Sequence, residues 1–373
     1  MAKNNEGLKQ TKNSFKLVGK VTRIDKDGAY KEEVMQKGKK QGDTYRTLRF
    51  GVKTSNTNDV TVQMFDFEPD FVYLWDSKEK KSIKTPFGQW QANAENFREQ
   101  GLAMLASRVG LEYGEDGKLQ TKGLHTFEAQ EEIFNHLSNG DSIVLEGDIR
   151  YSTYKNREDK EVEQKSYNIK RVFRLKNAVD FDGENFEEVT YFEQEMVFVG
   201  ADIDKKEGKA YVTGRIINYD KSFHDTQMVV NFKKEDGEGF DSGMVKLAEA
   251  FAKRFKFGDV INVFGDILNR VIISEAEAPE EKGDLFAEFG GKKKPKHAES
   301  YTQRTYIQEM SIHGVDAWDK GVYSEEDFVK EALVEEESNP FKEDLGGKNK
   351  KDGGKSPFDL GDEPEMGEDD LPF

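Results

Sequence analysis

Residues Asn135 to Tyr154, NHLSNGDSIVLEGDIRYSTY, decide the fold. The segment that leads into them, HTFEAQEEIFNHL (His125 to Leu137), carries apolar residues at three- and four-residue spacing and predicts a helix. After Gly140-Asp141, the run Ser142 to Tyr154 alternates as a strand does. The pattern returns in AEAFAKRFKFGDVINVFGDILNR (Ala248 to Arg270), where Gly258-Asp259 stands for Gly140-Asp141. Gly265-Asp266-Ile267 then stands for Gly147-Asp148-Ile149 after the same seven-residue gap. Such a repeat predicts two domains of one kind, and 373 residues are enough for two cores.

Upstream of the first copy, FKLVGKVTRI from Phe15, YRTLRFGVKT (Tyr45 to Thr54) and VTVQMFDF (Val60 to Phe67) read as three strands before any helix. Two helical segments follow, GQWQANAENFREQGLAMLASRVGL (Gly88 to Leu111) and His125 to Leu137. A long hairpin then runs from Ser142 to Tyr154 and back along Lys165 to Phe181. Three strands, a helix and two strands is the order of an oligonucleotide-binding (OB) fold, a five-stranded Greek-key barrel. In the second copy VTGRIINY (Val212 to Tyr219) takes the part of the FKLVGKVTRI strand and TQMVVNF (Thr226 to Phe232) that of the next. A Lys-rich excursion, Gly290 to His297, precedes the closing strand TYIQEMSIHGVDAW (Thr305 to Trp318).

The expected fold is thus mainly β with helical inserts: two tandem OB-type five-stranded barrels plus a disordered acidic C-terminal tail. The divisions are a flexible N-terminus over 1–14, a first OB domain over 15–185 with a helical insert at about 68–140, and a second over 191–320. A short helix over 321–338 and the tail over 339–373 complete the chain. The tail has almost no aliphatic residues to offset its ordering entropy.

The stretch NHLSNGDSIVLEGDIRYSTY resembles bacterial single-stranded DNA-binding proteins (SSBs), in which a helix ends in Gly-Asp, the next strand reads V-x-G-x-[IL], and an aromatic-bearing hairpin follows. The end of the tail, MGEDDLPF (Met366 to Phe373), resembles their acidic tip. The resemblance covers roughly residues 15–181 and the tip, and departs from the family in the insert at about 68–124. It implies a protein that coats and protects single-stranded DNA in replication, recombination and repair. It also implies that Asp369, Asp370, Leu371, Pro372 and Phe373 dock polymerase, helicase or primase, and nuclease partners. Size and Lys/Glu-rich composition suggest a bacteriophage-encoded member, and two barrels per chain suggest a monomer or homodimer.

Composition narrows the classes. The chain lacks Cys, so it has neither disulfides nor thiolate chemistry, and His125, His136, His224, His297 and His313 show no metal spacing. With no signal-peptide core and no apolar run long enough to span a bilayer, the expected location is the cytoplasm, with no membrane partner. The net charge of −17 weighs against indiscriminate polyanion binding unless the cations cluster. Residues 331–373 hold 14 acids against 5 Lys, a net of −9, which leaves −8 for the body.

Single-stranded DNA is held by aromatic faces that stack on bases, together with Lys and Arg that follow the phosphates. The hairpin offers Arg150, Tyr151, Tyr154, Lys155, Arg157, Tyr167, Lys170 and Arg171. The second strand, part of the usual OB ligand face, offers Tyr45, Arg46, Arg49 and Lys53. Trp75 and Trp90 flank a basic loop, KEKKSIKTPFG (Lys78 to Gly88). The structural alternative for each Tyr is a strand former covering the barrel. No motif points to catalysis, a metal or a cofactor, so the expectation is a binding protein and not an enzyme. The other reading is an OB-fold replisome or recombination scaffold that binds mainly protein.

Overall fold

The structure, a computed structural model, describes residues 7–104, 106–155, 161–234, 239–275 and 302–328. The readings of Arg157, the Lys-rich excursion, the tail and its tip all fall outside the described residues, as does most of the expected 321–338 helix. Its described part is a 3-10 turn, Glu325–Phe328.

Alternation builds the first barrel. Strands β1 (Asn13–Thr22), β3 (Thr44–Lys53) and β4 (Asp59–Phe67) bury Phe15, Leu17 and Val21, then Leu48, Phe50 and Val52, then Val60, Val62 and Met64. A short strand β2 (Tyr30–Val34) hairpins onto β3. The later strands are β10 (Ser142–Lys155) and β11 (Glu161–Arg174). The order β1-β10-β11-β4-β3 closes through an antiparallel β1–β3 pair, and the β4–β11 pair is parallel at Gln63 and Asn168. This closed five-strand circuit, with its single parallel seam, is the OB Greek key.

The second barrel repeats the circuit. It uses β12 (Val189–Asp204), β13 (Lys209–Ile217), β14 (Phe223–Asn231), β15 (Val260–Glu275) and β16 (Thr302–Asp319). Its parallel seam joins Val229 to Ser311. Here the sequence reading slips by one strand. VTGRII lies in β13, the second strand of the barrel, and TQMVVN lies in β14, the third. The first strand is β12, whose Phe192 faces Gly265 as Phe15 faces Gly147. Both β12 and β13 alternate around a glycine, so periodicity does not rank them.

The two first strands, β1 and β12, also pair antiparallel, which fuses both barrels into one sheet of thirteen strands among the described residues. Residues expected to be flexible help to tie them together. The buried Thr11 bonds through its N–H to the Ile217 carbonyl at 3.0 Å, and the Lys12 N–H reaches Glu195 at 2.9 Å.

The insert is not mainly helical, and more than three strands precede the first helix. β5 (Phe71–Asp76), β6 (Lys81–Pro86) and β7 (Leu102–Met104) form a separate sheet, with α1 (Phe87–Glu99) laid on it. The expected helix Gly88–Leu111 stops early because Gly101 takes φ 85°, the left-handed turn that ends a helix. The chain then runs as β7, β8 (Ser107–Tyr113) and β9 (Leu119–Leu124). α2 (Thr126–His136) begins at a capping box between His125 and Glu128 and packs Phe127, Ala129 and Ile133 inward. In the second barrel α3 (Ser242–Lys253) occupies the corresponding place between β14 and β15, capped by Asp241.

Candidate nucleic-acid interface

Since Leu48, Phe50, Val52, Val60, Val62 and Met64 fill the first barrel, the residues between them face outward on β3 and β4. The register sets them in cross-strand pairs: Tyr45 with Phe67, Thr47 with Phe65, Arg49 with Gln63, Gly51 with Thr61, and Lys53 with Asp59. This outward row is the surface with which OB barrels bind oligonucleotides. One end is aromatic. Phe65 and Phe67 meet edge to face at 5.3 Å, and the Tyr45 ring lies 5.6 and 5.9 Å from them. The Lys40 amine sits 5.0 Å from the Phe67 ring centre. The other end is polar. The Arg23 guanidinium crosses Gly51, where a Cβ would come within 2.4 Å of it, and grips Asp59 at 2.7 and 3.1 Å and Thr61 at 3.1 Å. Between the two ends, the Gln63 amide donates to Asn168 on β11 at 3.3 Å.

Phe65 and Phe67 are half-buried, whereas Tyr45 is buried and its hydroxyl donates to Glu33 at 2.6 Å. That bond holds the phenol pKa up at about 12. Tyr45 therefore buttresses the Phe65–Phe67 pair. Arg49 and Lys53 lie on the row, half-buried.

Several residues expected at the site stand elsewhere. Arg46 shares the parity of Leu48 and turns toward α2: its guanidinium lies 4.0 Å from the Phe127 ring and pairs with Glu32 at 2.7 Å and Glu131 at 3.0 Å. Tyr151 is a core residue. It follows Ile143, Leu145 and Ile149 on the inner face of β10, and its hydroxyl donates to Gln194 of the second barrel at 3.0 Å. Burial raises its pKa well above that of a free phenol, and raises that of Tyr167, which packs edge-on against Phe15 at 5.4 Å. The Tyr151 ring is thus closed to a base, while Tyr167 is half-buried with its ring against Phe15.

Lys170 and Arg171 are exposed, on Asp148 at 2.6 Å and Glu146 at 3.1 Å. Lys170 is two residues past Asn168, as Phe65 is two past Gln63 on the parallel neighbour, so it flanks the row. Arg150 is exposed on β10, and Tyr154 and Lys155 end that strand.

The equivalent row of the second barrel is built differently. Lys209 pairs with Glu309 at 2.5 Å, and Arg215 grips Asp225 at 2.6 and 2.8 Å. The Tyr211 hydroxyl donates to Glu207, which holds its pKa up at about 12. Each of these cations already has its anion, and the stacked phenylalanines have no counterpart among these pairs.

Glu112, Glu132 and His136 gather near the first barrel, where the Lys122 amine reaches Glu132 at 2.7 Å and Glu112 at 3.8 Å. A lysine thus supplies the positive charge that a cation would bring.

Residues 77–345 match the YorF family. The chain belongs to the YorF family. The match begins in the β5–β6 turn, so it takes in α2, β8 to β11 and the second barrel, while β1 to β4 precede it. No curated protein matches the chain. Among solved structures it is similar to a deletion mutant of the single-stranded DNA-binding protein from Thermus aquaticus, with 12% identity and a TM-score of 0.32. That alignment covers 73% of this chain and 99% of the other. In this YorF-family chain no described helix is long and apolar enough to cross a membrane.

Proposed function

We propose that the chain binds single-stranded DNA along the outward row of β3 and β4. The observation that carries this is that the Phe65–Phe67 pair, with Lys40 at its edge, shares one outward row with Arg49 and Lys53 on the ligand face of an OB barrel. Bases stack on the two rings while Lys40, Arg49 and Lys53 track phosphates, an arrangement that tolerates any sequence because every base has a π-face. Concentrating cations on one face lets a chain of net charge −17 engage a polyanion. The second barrel, whose described row lacks the paired phenylalanines, braces the first through the shared sheet.

On this reading the protein is a binding protein without an enzymatic role, serving DNA replication, recombination or repair. The segment Asp369 to Phe373 is its docking peptide for partner proteins, on the strength of its acidic run followed by Leu-Pro-Phe. Titrating labelled oligo-dT and a duplex of equal length at 50 and 200 mM salt tests the reading. Single strands should bind more tightly, with affinity falling as counterion release requires. Equal binding of both, or no binding to either, removes it, and the protein-scaffold alternative takes its place.

A further inference from the structure

The insert sheet carries a second aromatic surface. Val72 and Leu74 of β5 point into a small core with Phe87, Trp90, Leu102 and Met104, so Phe71, Tyr73 and Trp75 share the opposite face. Phe71 is 45% exposed and Tyr73 60%, large values for rings on a sheet. Their cross-strand partners on β6 are Pro86, Lys84 and Ser82, all exposed. The Lys84 amine lies 4.0 Å from the Phe71 ring centre.

Charge picks the occupant. Across residues 71–86 there are four lysines, Lys78, Lys80, Lys81 and Lys84, against Asp76 and Glu79, a local net of +2 in a chain of −17. Rings two residues apart on a strand stand ~6.7 Å apart, about twice the ~3.4 Å spacing of stacked bases. Successive rings can therefore take successive bases of an unstacked strand. Phe71 also follows Phe67 by four residues, so their Cα atoms are at most ~14 Å apart along the chain. The aromatic end of the barrel row is thus joined to the insert's aromatic strand by a short connection, Glu68 to Asp70.

We propose that the outer face of β5 and β6 is a second single-strand subsite, in which Phe71 and Tyr73 stack bases and Lys84 with the Lys78–Lys81 turn holds phosphates, extending the strand beyond Phe67. This rests on the barrel row being the primary site.

The test uses the full chain and two double variants, Phe71→Ala/Tyr73→Ala and Phe65→Ala/Phe67→Ala, each titrated with labelled oligo-dT of 6 and 20 nucleotides. Both side chains of the first variant are exposed, so its circular dichroism and thermal midpoint should match wild type. The expected result is that this variant loses tenfold or more in affinity for the longer oligonucleotide and less than threefold for the shorter. The Phe65/Phe67 variant should lose affinity for both lengths. A Lys84→Glu variant should reproduce the length-selective loss and lower the salt dependence. Unchanged binding of the 20-mer by the Phe71/Tyr73 and Lys84 variants, with wild type binding normally, overturns the subsite alone. Failure of wild type to bind either oligonucleotide overturns the barrel reading and the subsite with it.

Discussion

Phe15 and Phe192 stand opposite each other in the β1–β12 pair, and each also faces a glycine across its own barrel, Gly147 and Gly265. The two glycines of the sequence repeat therefore flank the seam that fuses the domains. Neither glycine tolerates a side chain. A Cβ at Gly147 would lie 1.9 Å from the Asn168 carbonyl oxygen and 2.7 Å from the Phe15 ring, and one at Gly265 would lie 1.8 Å from the Ser311 oxygen. Gly147→Ala and Gly265→Ala are each expected to cost ~1–3 kcal/mol, the usual penalty for overpacking. Urea denaturation should show lower midpoints for both, and a midpoint equal to wild type would place the strands further apart than described.

Tyr151 and the Phe65–Phe67 pair separate structure from binding. Tyr151→Phe removes the hydroxyl that reaches Gln194 and is expected to cost ~1 kcal/mol of stability while leaving oligo-dT affinity within twofold of wild type. Phe65→Ala and Phe67→Ala should each cost ~1–3 kcal/mol of binding. The reverse pattern in anisotropy titrations would return the interface to the hairpin.

Asp259 gives a pH signature. Burial pushes its pKa up, but the N–H groups of Gly321 and Lys256 and the Trp318 indole all donate to it and prevail, so its pKa lies below the usual carboxylate value. A carboxylate whose folded pKa is lowered stabilises the fold fully above its unfolded pKa of ~3.9, and that contribution is lost as pH falls through the folded value. Asp259→Asn should therefore destabilise the protein at pH 7, with the gap to wild type narrowing below pH ~4. A gap constant from pH 7 to pH 3 would count against these bonds.

Gln130 is fully buried in α2, and neither of its amide atoms has a hydrogen-bond partner among the described residues. Unpaired buried polar groups cost ~1–3 kcal/mol, so Gln130→Met, similar in length and apolar, should raise the thermal midpoint. A lowered midpoint would show that the amide is engaged.

Much of this was legible in the sequence. The helix, Gly-Asp and strand unit marked both barrels because the apolar alternation after it is long and its two copies keep step. Parity also held information that residue type obscured. Tyr151 falls in step with Ile143, Leu145 and Ile149, and Arg46 with Leu48, Phe50 and Val52, so their inward placement is written in the alternation. Phe65 and Phe67 fall out of step with Val60, Val62 and Met64, which marks them as outward, though an apolar ring at the end of a strand reads by default as core. The stretch after Glu99 was not legible. Its Ala, Leu and Met favour a helix, and only pairing to β5, Leu74 with Met104 and Trp75 with Ala103, draws it into a sheet.

The most direct test of the central claim is to locate the DNA. Oligo-dT carrying a photoreactive uracil analogue would be crosslinked to the full chain, and the modified peptides mapped by mass spectrometry. The account predicts crosslinks at Phe65 and Phe67 on β4, continuing to Phe71 and Tyr73, and none at Tyr151 or Tyr167. Crosslinks confined to β13 and β14 of the second barrel, or to the β10–β11 hairpin, would contradict it.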